Sequence, residues 1–183
     1  KKERYPVDCF KKEFQTKKEI KKARLYASAR GLYDVCINGS RLTDFILAPG
    51  MTDYRKRIQY QIYDVTGLLQ EKNTLELRLA DGWYRGSSAA YGATNVYGSQ
   101  TSLIAQLEID YRDGTHQVIA TDQTFAWSND GSIRFADLKD GEVFDARKKP
   151  SYQGKAVEIK DSAKNKPHLQ ASGNVAVREK ETF

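Results

Sequence analysis

The chain is poor in sulfur, with two cysteines and one methionine among 183 residues. Two cysteines cannot build a disulfide framework, and with only His116 and His168 to add, neither at ligand spacing, they cannot build a zinc site. Cys9 and Cys36 each stand in an apolar, strand-like setting, Val7-Asp8-Cys9-Phe10 and Val35-Cys36-Ile37, and read as small core residues. A disulfide between them stays open at this stage and would need an oxidising compartment. No apolar run approaches the roughly 20 residues that cross a bilayer as a helix, so no membrane partner is expected. Residues 1–24 carry Lys and Arg throughout and contain no apolar segment of the signal-peptide kind. Also lacking are a phosphate-cradling glycine loop, a nucleophile elbow and any internal repeat.

A net charge of +6 invites a nucleic-acid reading until its position is examined. Residues 1–24 hold ten Lys or Arg against four Asp or Glu, and the remainder of the chain balances at twenty of each sign. The basicity is therefore local, with no aromatic RNA-binding signature or helix-turn-helix pattern beside it. A Lys-rich edge strand, which discourages edge-to-edge association, accounts for it better, and no nucleic-acid partner is expected.

What the chain does have is tyrosine, eleven against seven Phe and two Trp, a usage that suits strands rather than helical bundles. Period-two alternation recurs at Glu19–Ser28, Leu32–Ile37, Thr74–Ala80 and Ser102–Tyr111, and at Ile58–Val65, where Ile58, Tyr60 and Ile62 oppose Gln59 and Gln61. Asn38-Gly39 and Asp113-Gly114 are tight-hairpin signals. The glycosylation pattern at Asn38 is explained by the turn alone. Asp64–Leu69 reads as a single turn beneath the sheet. Phe125–Ser128 and Ile133–Phe135 flank a turn at Asn129-Asp130-Gly131, and Lys155–Lys160 reads as a last strand. Residues 87–101 form a long aperiodic loop. The expected organisation is a tail over residues 1–8, an all-β, antiparallel β-sandwich over 9–160, and over 161–183 a linker leading, from Val175-Ala176-Val177, into a following domain.

The chemistry concentrates at Asp81-Gly82-Trp83-Tyr84-Arg85-Gly86, directly after the leucine-rich strand. A sugar site needs an aromatic face for the apolar side of the ring and planar polar groups for its hydroxyls. Trp83 and Tyr84 supply the first, and Asp53, Arg85 and Glu142 are candidates for the second, with Tyr54 and Asp145 nearby in the same kinds of loop. The plainer reading is a core Trp at a strand end, Trp83, with Arg85 laid over it. Asp53 after Pro49-Gly50 is the first choice of ligand if calcium binds, though a turn cap explains it as well. Asp145 and Arg147 read equally as an ion pair pinning the last loop. Asp81, Glu142 and Asp145 could in principle provide the two carboxyl groups of a glycosidase, yet nothing in their spacing marks them for catalysis, and no catalytic residue is assigned.

Five motifs, in order, resemble a known family: Leu32–Gly39, Leu47–Arg57, Tyr63–Thr66, Asp81–Gly86 and Gly141–Arg147. Together, over about residues 8–160, they look like the N-terminal domain of bacterial α-L-rhamnosidases. Met51 stands where the family pattern more often has Trp, which removes a stacking surface near Asp53. The resemblance implies a jelly-roll sandwich of the galactose-binding-domain kind, lying ahead of a helical-barrel catalytic domain that carries the acid and base carboxylates. It implies as partners that barrel, other β domains of the chain, and rhamnose-containing glycans. Calcium-assisted rhamnose binding is the alternative role it suggests.

Overall fold

The computed structural model describes residues 4–42, 45–87, 92–160 and 166–173. Among the described residues are thirteen strands and one short α-helical turn. They are β1 (Asp8–Gln15), β2 (Ile20–Arg30), β3 (Leu32–Ile37), β4 (Ser40–Arg41), β5 (Arg57–Asp64), β6 (Lys72–Ala80), α1 (Gly82–Arg85), β7 (Ser102–Tyr111), β8 (His116–Ala120), β9 (Ala126–Ser128), β10 (Ile133–Asp137), β11 (Gly141–Phe144), β12 (Gly154–Lys155) and β13 (His168–Ala171). A 3-10 turn at Thr66–Leu68 is the single turn expected between β5 and β6.

Two sheets face one another. One runs β12-β9-β1-β6-β3-β4 and the other β13-β5-β2-β7-β8, while β10 and β11 form a separate hairpin. All pairings are antiparallel except β13 with β5. This is the antiparallel β-sandwich that the alternation requires. Leu75, Leu77 and Leu79 of β6 meet Leu25 and Ala27 of β2 and Leu107 and Ile109 of β7 in one dry core. Between the β3 and β4 strands, Asn38 and Gly39 take φ of 51° and 79°, the two left-handed residues of a type I′ turn. The Asn38 side chain is occupied too. It donates to the Leu68 carbonyl and to Asn73 Oδ1, and accepts from the Thr74 amide, so it fastens the 3-10 turn to the hairpin.

Several expectations are corrected. The Lys-rich strand β1 is no edge: it lies between β6 and β9, and β2 lies between β5 and β7. Its lysines are accommodated with their ammonium groups over aromatic rings, Lys11 over Tyr152 and Lys12 over Phe125. Residues 4–7 are not a loose tail. Val7 is buried and its amide donates to the Ile133 carbonyl, while Arg4 lies over Phe135. Strands β9 and β10 do not pair with each other: β9 joins β1 and β12, and β10 joins β11. Of the expected last strand, Lys155–Lys160, only Lys155 is paired, in β12 (Gly154–Lys155). The chain instead adds a strand at His168–Ala171, inside the stretch of linker composition. The Val175-Ala176-Val177 element lies outside the described residues, as do 88–91 of the long loop.

The cysteines are buried free thiols. Cys9 on β1 pairs with Arg78, and Cys36 on β3 with Glu76, so β6 separates them. Two strand spacings are about 9.6 Å, beyond the roughly 7 Å over which Cα atoms can be bridged. No disulfide joins them. In β5 the polar face turns inward: Gln61 is buried and its Oε1 accepts from the Tyr33 hydroxyl, while its Nε2 donates to the Pro49 carbonyl. Tyr33 Oη also meets Tyr63 Oη and the Ala27 carbonyl. Desolvation pushes the Tyr33 hydroxyl far above its ordinary value. This satisfied polar cluster anchors the loop before β5 to both sheets.

Candidate functional site

The corner after β6 is a single helical turn. Asp81 leaves the strand, α1 closes with Arg85 N donating to the Asp81 carbonyl, and Gly86 N donates to the Gly82 carbonyl. Gly82 has φ +53°, and a Cβ there would stand 2.7 Å from Leu32 Cγ and 2.8 Å from Leu32 N. The turn therefore packs directly on the start of β3 because residue 82 has no side chain.

Arg85 is spent inside the fold. Its Nε and Nη2 lie 2.8 and 2.7 Å from Asp81 Oδ1, and the two side chains are 11% and 6% exposed. Its guanidinium lies 4.1 Å from the centre of the Tyr5 ring. Arg85 thus lies over an aromatic ring as the plainer reading expects, but the ring is Tyr5 of the N-terminal approach and not Trp83. Trp83 itself is half-exposed at the turn.

Tyr84 and Tyr54 do meet, edge to face at 5.5 Å, and a third ring completes the group. Tyr97 lies 5.1 Å from Tyr54 and stacks at 6.4 Å on Tyr84. Arg55 lies over Tyr97 and donates to the Val96 carbonyl, and the Asn95 amide donates to the Arg85 carbonyl. The long loop is thus tied to α1 and to the turn before β5. Tyr97 was missed because its loop has no periodicity to read. Desolvation, first, then the neighbouring Tyr97, pushes the Tyr54 phenol well above its ordinary value, and its hydroxyl donates to the Gly50 carbonyl.

The carboxylates are placed as turn formers. Asp53 Oδ1 accepts from the Arg55 amide, and its carbonyl accepts from Lys56 and Arg57. Among the described residues no group of three or more His, Cys, Asp or Glu gathers where it could hold a metal. Asp145 takes Arg147 on both oxygens at 2.8 Å and caps its amide, the pinning pair weighed from the sequence. Glu142 is exposed on β11. That hairpin reaches the corner through other residues: Ser87 N donates to Asp137 Oδ2 and Ser87 Oγ lies 3.1 Å from Asp140 Oδ2. The structure therefore brings Tyr54, Tyr84 and Arg85 together, sets Asp53 at the margin, and leaves Glu142 and Asp145 on a neighbouring element.

Asp8 lies behind this corner, accepting from Trp127 Nε1 at 3.0 Å. Burial, the largest influence, raises its carboxyl above the ordinary value despite the Trp127 bond and the nearby Arg85 charge. A carboxyl whose folded-state pKa is raised binds its proton more readily in the folded than in the unfolded chain. Stability contributed by Asp8 therefore falls as pH rises from the ordinary carboxylate value through the raised one. Urea unfolding of Asp8→Asn and the parent chain should show this as a stability gap favouring Asn at neutral pH and shrinking on acidification. A gap independent of pH would show that Asp8 ionises as freely in the fold as in water.

With this geometry in view, the comparisons are specific. The sequence profile of the family described as Alpha-L-rhamnosidase N-terminal domain matches residues 18–181. The chain belongs to this family. An α-L-rhamnosidase of Streptomyces avermitilis is 46% identical over 132 residues, which is 72% of this chain and 13% of that protein. One from Formosa agariphila is 37% identical over 140 residues, 74% of this chain and 15% of the relative. The crystal structure of the S. avermitilis enzyme complexed with L-rhamnose superposes with a TM-score of 0.77 at 40% identity, over 82% of this chain and 15% of that one. The α-L-rhamnosidase from Dictyoglumus thermophilum gives 0.78 at 30% identity, over 91% of this chain and 19% of that one. The rhamnosidase N-terminal domain seen here thus spans only about one seventh of the relatives it matches.

Proposed function

We propose that this domain is a non-catalytic part of an α-L-rhamnosidase, and that its Asp81–Gly86 corner packs against another part of that chain and holds it in register. One observation carries the reading. The polar groups that a sugar would need at the corner are committed within the domain, Arg85 to Asp81 and Tyr5, Tyr54 to Gly50, Asp53 to its own turn. The accessible side chains include Trp83, half-exposed, and Met51, Ile46 and Leu47 at 58%, 65% and 46%, with exposed Arg55, Lys56 and Arg57 following Tyr54. Exposed aromatic and aliphatic side chains with a charged margin suit protein contact, where aromatic anchors dominate binding energy.

The test is Trp83→Ala in the full-length enzyme. A buried anchor is worth about 2 kcal/mol or more on truncation, so thermal unfolding should begin at a lower temperature while KM for an aryl rhamnoside stays unchanged. A raised KM with unaltered unfolding would mean that the corner meets substrate. A calcium-dependent change of Trp fluorescence on titrating L-rhamnose, lost in Trp83→Ala, would replace docking with sugar binding.

A further inference from the structure

The β10–β11 hairpin stands outside both sheets of the sandwich. It is fastened through β10 and its turn: the Val7 amide donates to the Ile133 carbonyl, and the Ser87 amide donates to Asp137 Oδ2. Among the described residues no strand pairs with its other edge, β11. All four residues of β11 are exposed, and so is every residue from Leu138 to Pro150 except Asp145.

The backbone of that edge is unspent. The Asp145 amide donates to the Ser132 carbonyl, so Asp145 faces β10, and Val143, two residues earlier and opposite Phe135, faces it too. Alternation then turns the amides and carbonyls of Glu142 and Phe144 away from β10. A row of unpaired strand groups is a template for a further strand.

Side chains mark the same edge. Phe144 is 60% exposed and Val143 43%, on opposite faces of β11. Arg147 is held by Asp145 through two 2.8 Å bonds, yet its side chain is 89% exposed. A solvent-exposed ion pair contributes little to stability; this one fixes where a guanidinium is presented. Exposed Lys149 extends the cationic end.

We infer that β11 is a strand-addition edge: an extended segment from another part of the rhamnosidase chain pairs with Glu142 and Phe144, sets an apolar side chain on Phe144 and brings a carboxylate to Arg147. The inference rests on the reading that the domain packs within a longer chain. About six sevenths of the length of the matched relatives lies outside the region aligned here. Ser87 ties the hairpin to the corner, so one neighbouring domain can meet both. A second copy fits worse. Paired antiparallel through β11, it would set Glu142 against Glu142, or else bring the Lys139 end of one hairpin to the Arg147–Lys149 end of the other. Either arrangement opposes like charges, since Asp137 and Asp140 beside Lys139 are engaged by Ser87.

Hydrogen exchange resolved to single amides in the full-length enzyme tests the pairing. The Glu142 and Phe144 amides should exchange as slowly as that of Val143, which faces β10. A benzophenone amino acid at position 144 tests the occupant. It should crosslink, within one chain, to a peptide outside residues 1–183, and the same amino acid at exposed Lys72 on β6 should not reach that peptide. Fast exchange at 142 and 144, a crosslink between two copies, the same crosslink from position 72, or none from 144 would each overturn the inference. Trp83→Ala reads the corner separately, so either surface can fail while the other stands.

Discussion

Gly82→Ala is expected to destabilise the 183-residue chain by about 3 kcal/mol, the sum of a left-handed residue carrying a side chain and an over-packed contact. At φ +53° the new methyl would lie 2.7 Å from Leu32 Cγ, 2.8 Å from Leu32 N and 2.9 Å from the Gly31 carbonyl carbon. Two of those three atoms are backbone, which cannot swing aside. Relief would require α1 to lift from β3, and the links from Ser87 to Asp137 and Asp140 resist that movement. Gly39→Ala is the matched control: its φ is +79°, yet nothing lies within 4 Å of the added atom. That substitution should cost only the conformational part, about 1 kcal/mol. Urea midpoints of the two variants separate the contributions, and equal losses would mean that the corner is softer than its contacts indicate.

Most of the fold can be read from the residues, for a simple reason. Where a strand has one wet and one dry face, as in β2, β6 and β7, alternation states which residues are buried. The reading weakens where both faces are covered or where pairing is not sequential. Strand β5 misleads because both of its faces hold buried residues, Gln61 (through hydrogen bonds) and Tyr63 on one and Ile58 on the other. Strand β1 misleads because its lysine ammonium groups lie over rings, so a central strand looks like an edge. Strand β13 is hidden altogether: its residues are exposed, and backbone bonds to β5 hold it. At the corner, the six-residue motif announces a bend with aromatic and charged groups. It does not announce that Tyr5, some eighty residues earlier, will occupy the guanidinium, nor that Tyr97 will complete the ring cluster. Those partners are set by strand order, since β1 lies beside β6 and brings the N-terminal approach to the end where α1 begins.

The other large effect follows from that same encounter. Arg85→Met keeps an apolar stem over Tyr5 but removes the guanidinium from Asp81, leaving a carboxylate that is 6% exposed without its nearest cation. Breaking one side of a buried pair typically costs 3–5 kcal/mol, so a loss of about 3 kcal/mol is expected. Arg85→Lys should recover little, because an ammonium offers neither the planar face that lies on Tyr5 nor two donors in a fixed fork. Removing both charges together is different. In Asp81→Asn, Arg85→Met the desolvation that each ion requires disappears with the ions, so the double variant should be more stable than Arg85→Met alone. The pair also acts on Asp8, whose carboxyl is held down by Arg85 and pushed up by Asp81. Arg85→Met should therefore raise the Asp8 carboxyl further and steepen the loss of stability from acid to neutral pH, an effect absent when Asp8→Asn is added. Simple additivity of Asp81→Asn and Arg85→Met, with the pH dependence unmoved, would show that the three groups do not share one field. The corner would then be held by its aromatic contacts alone.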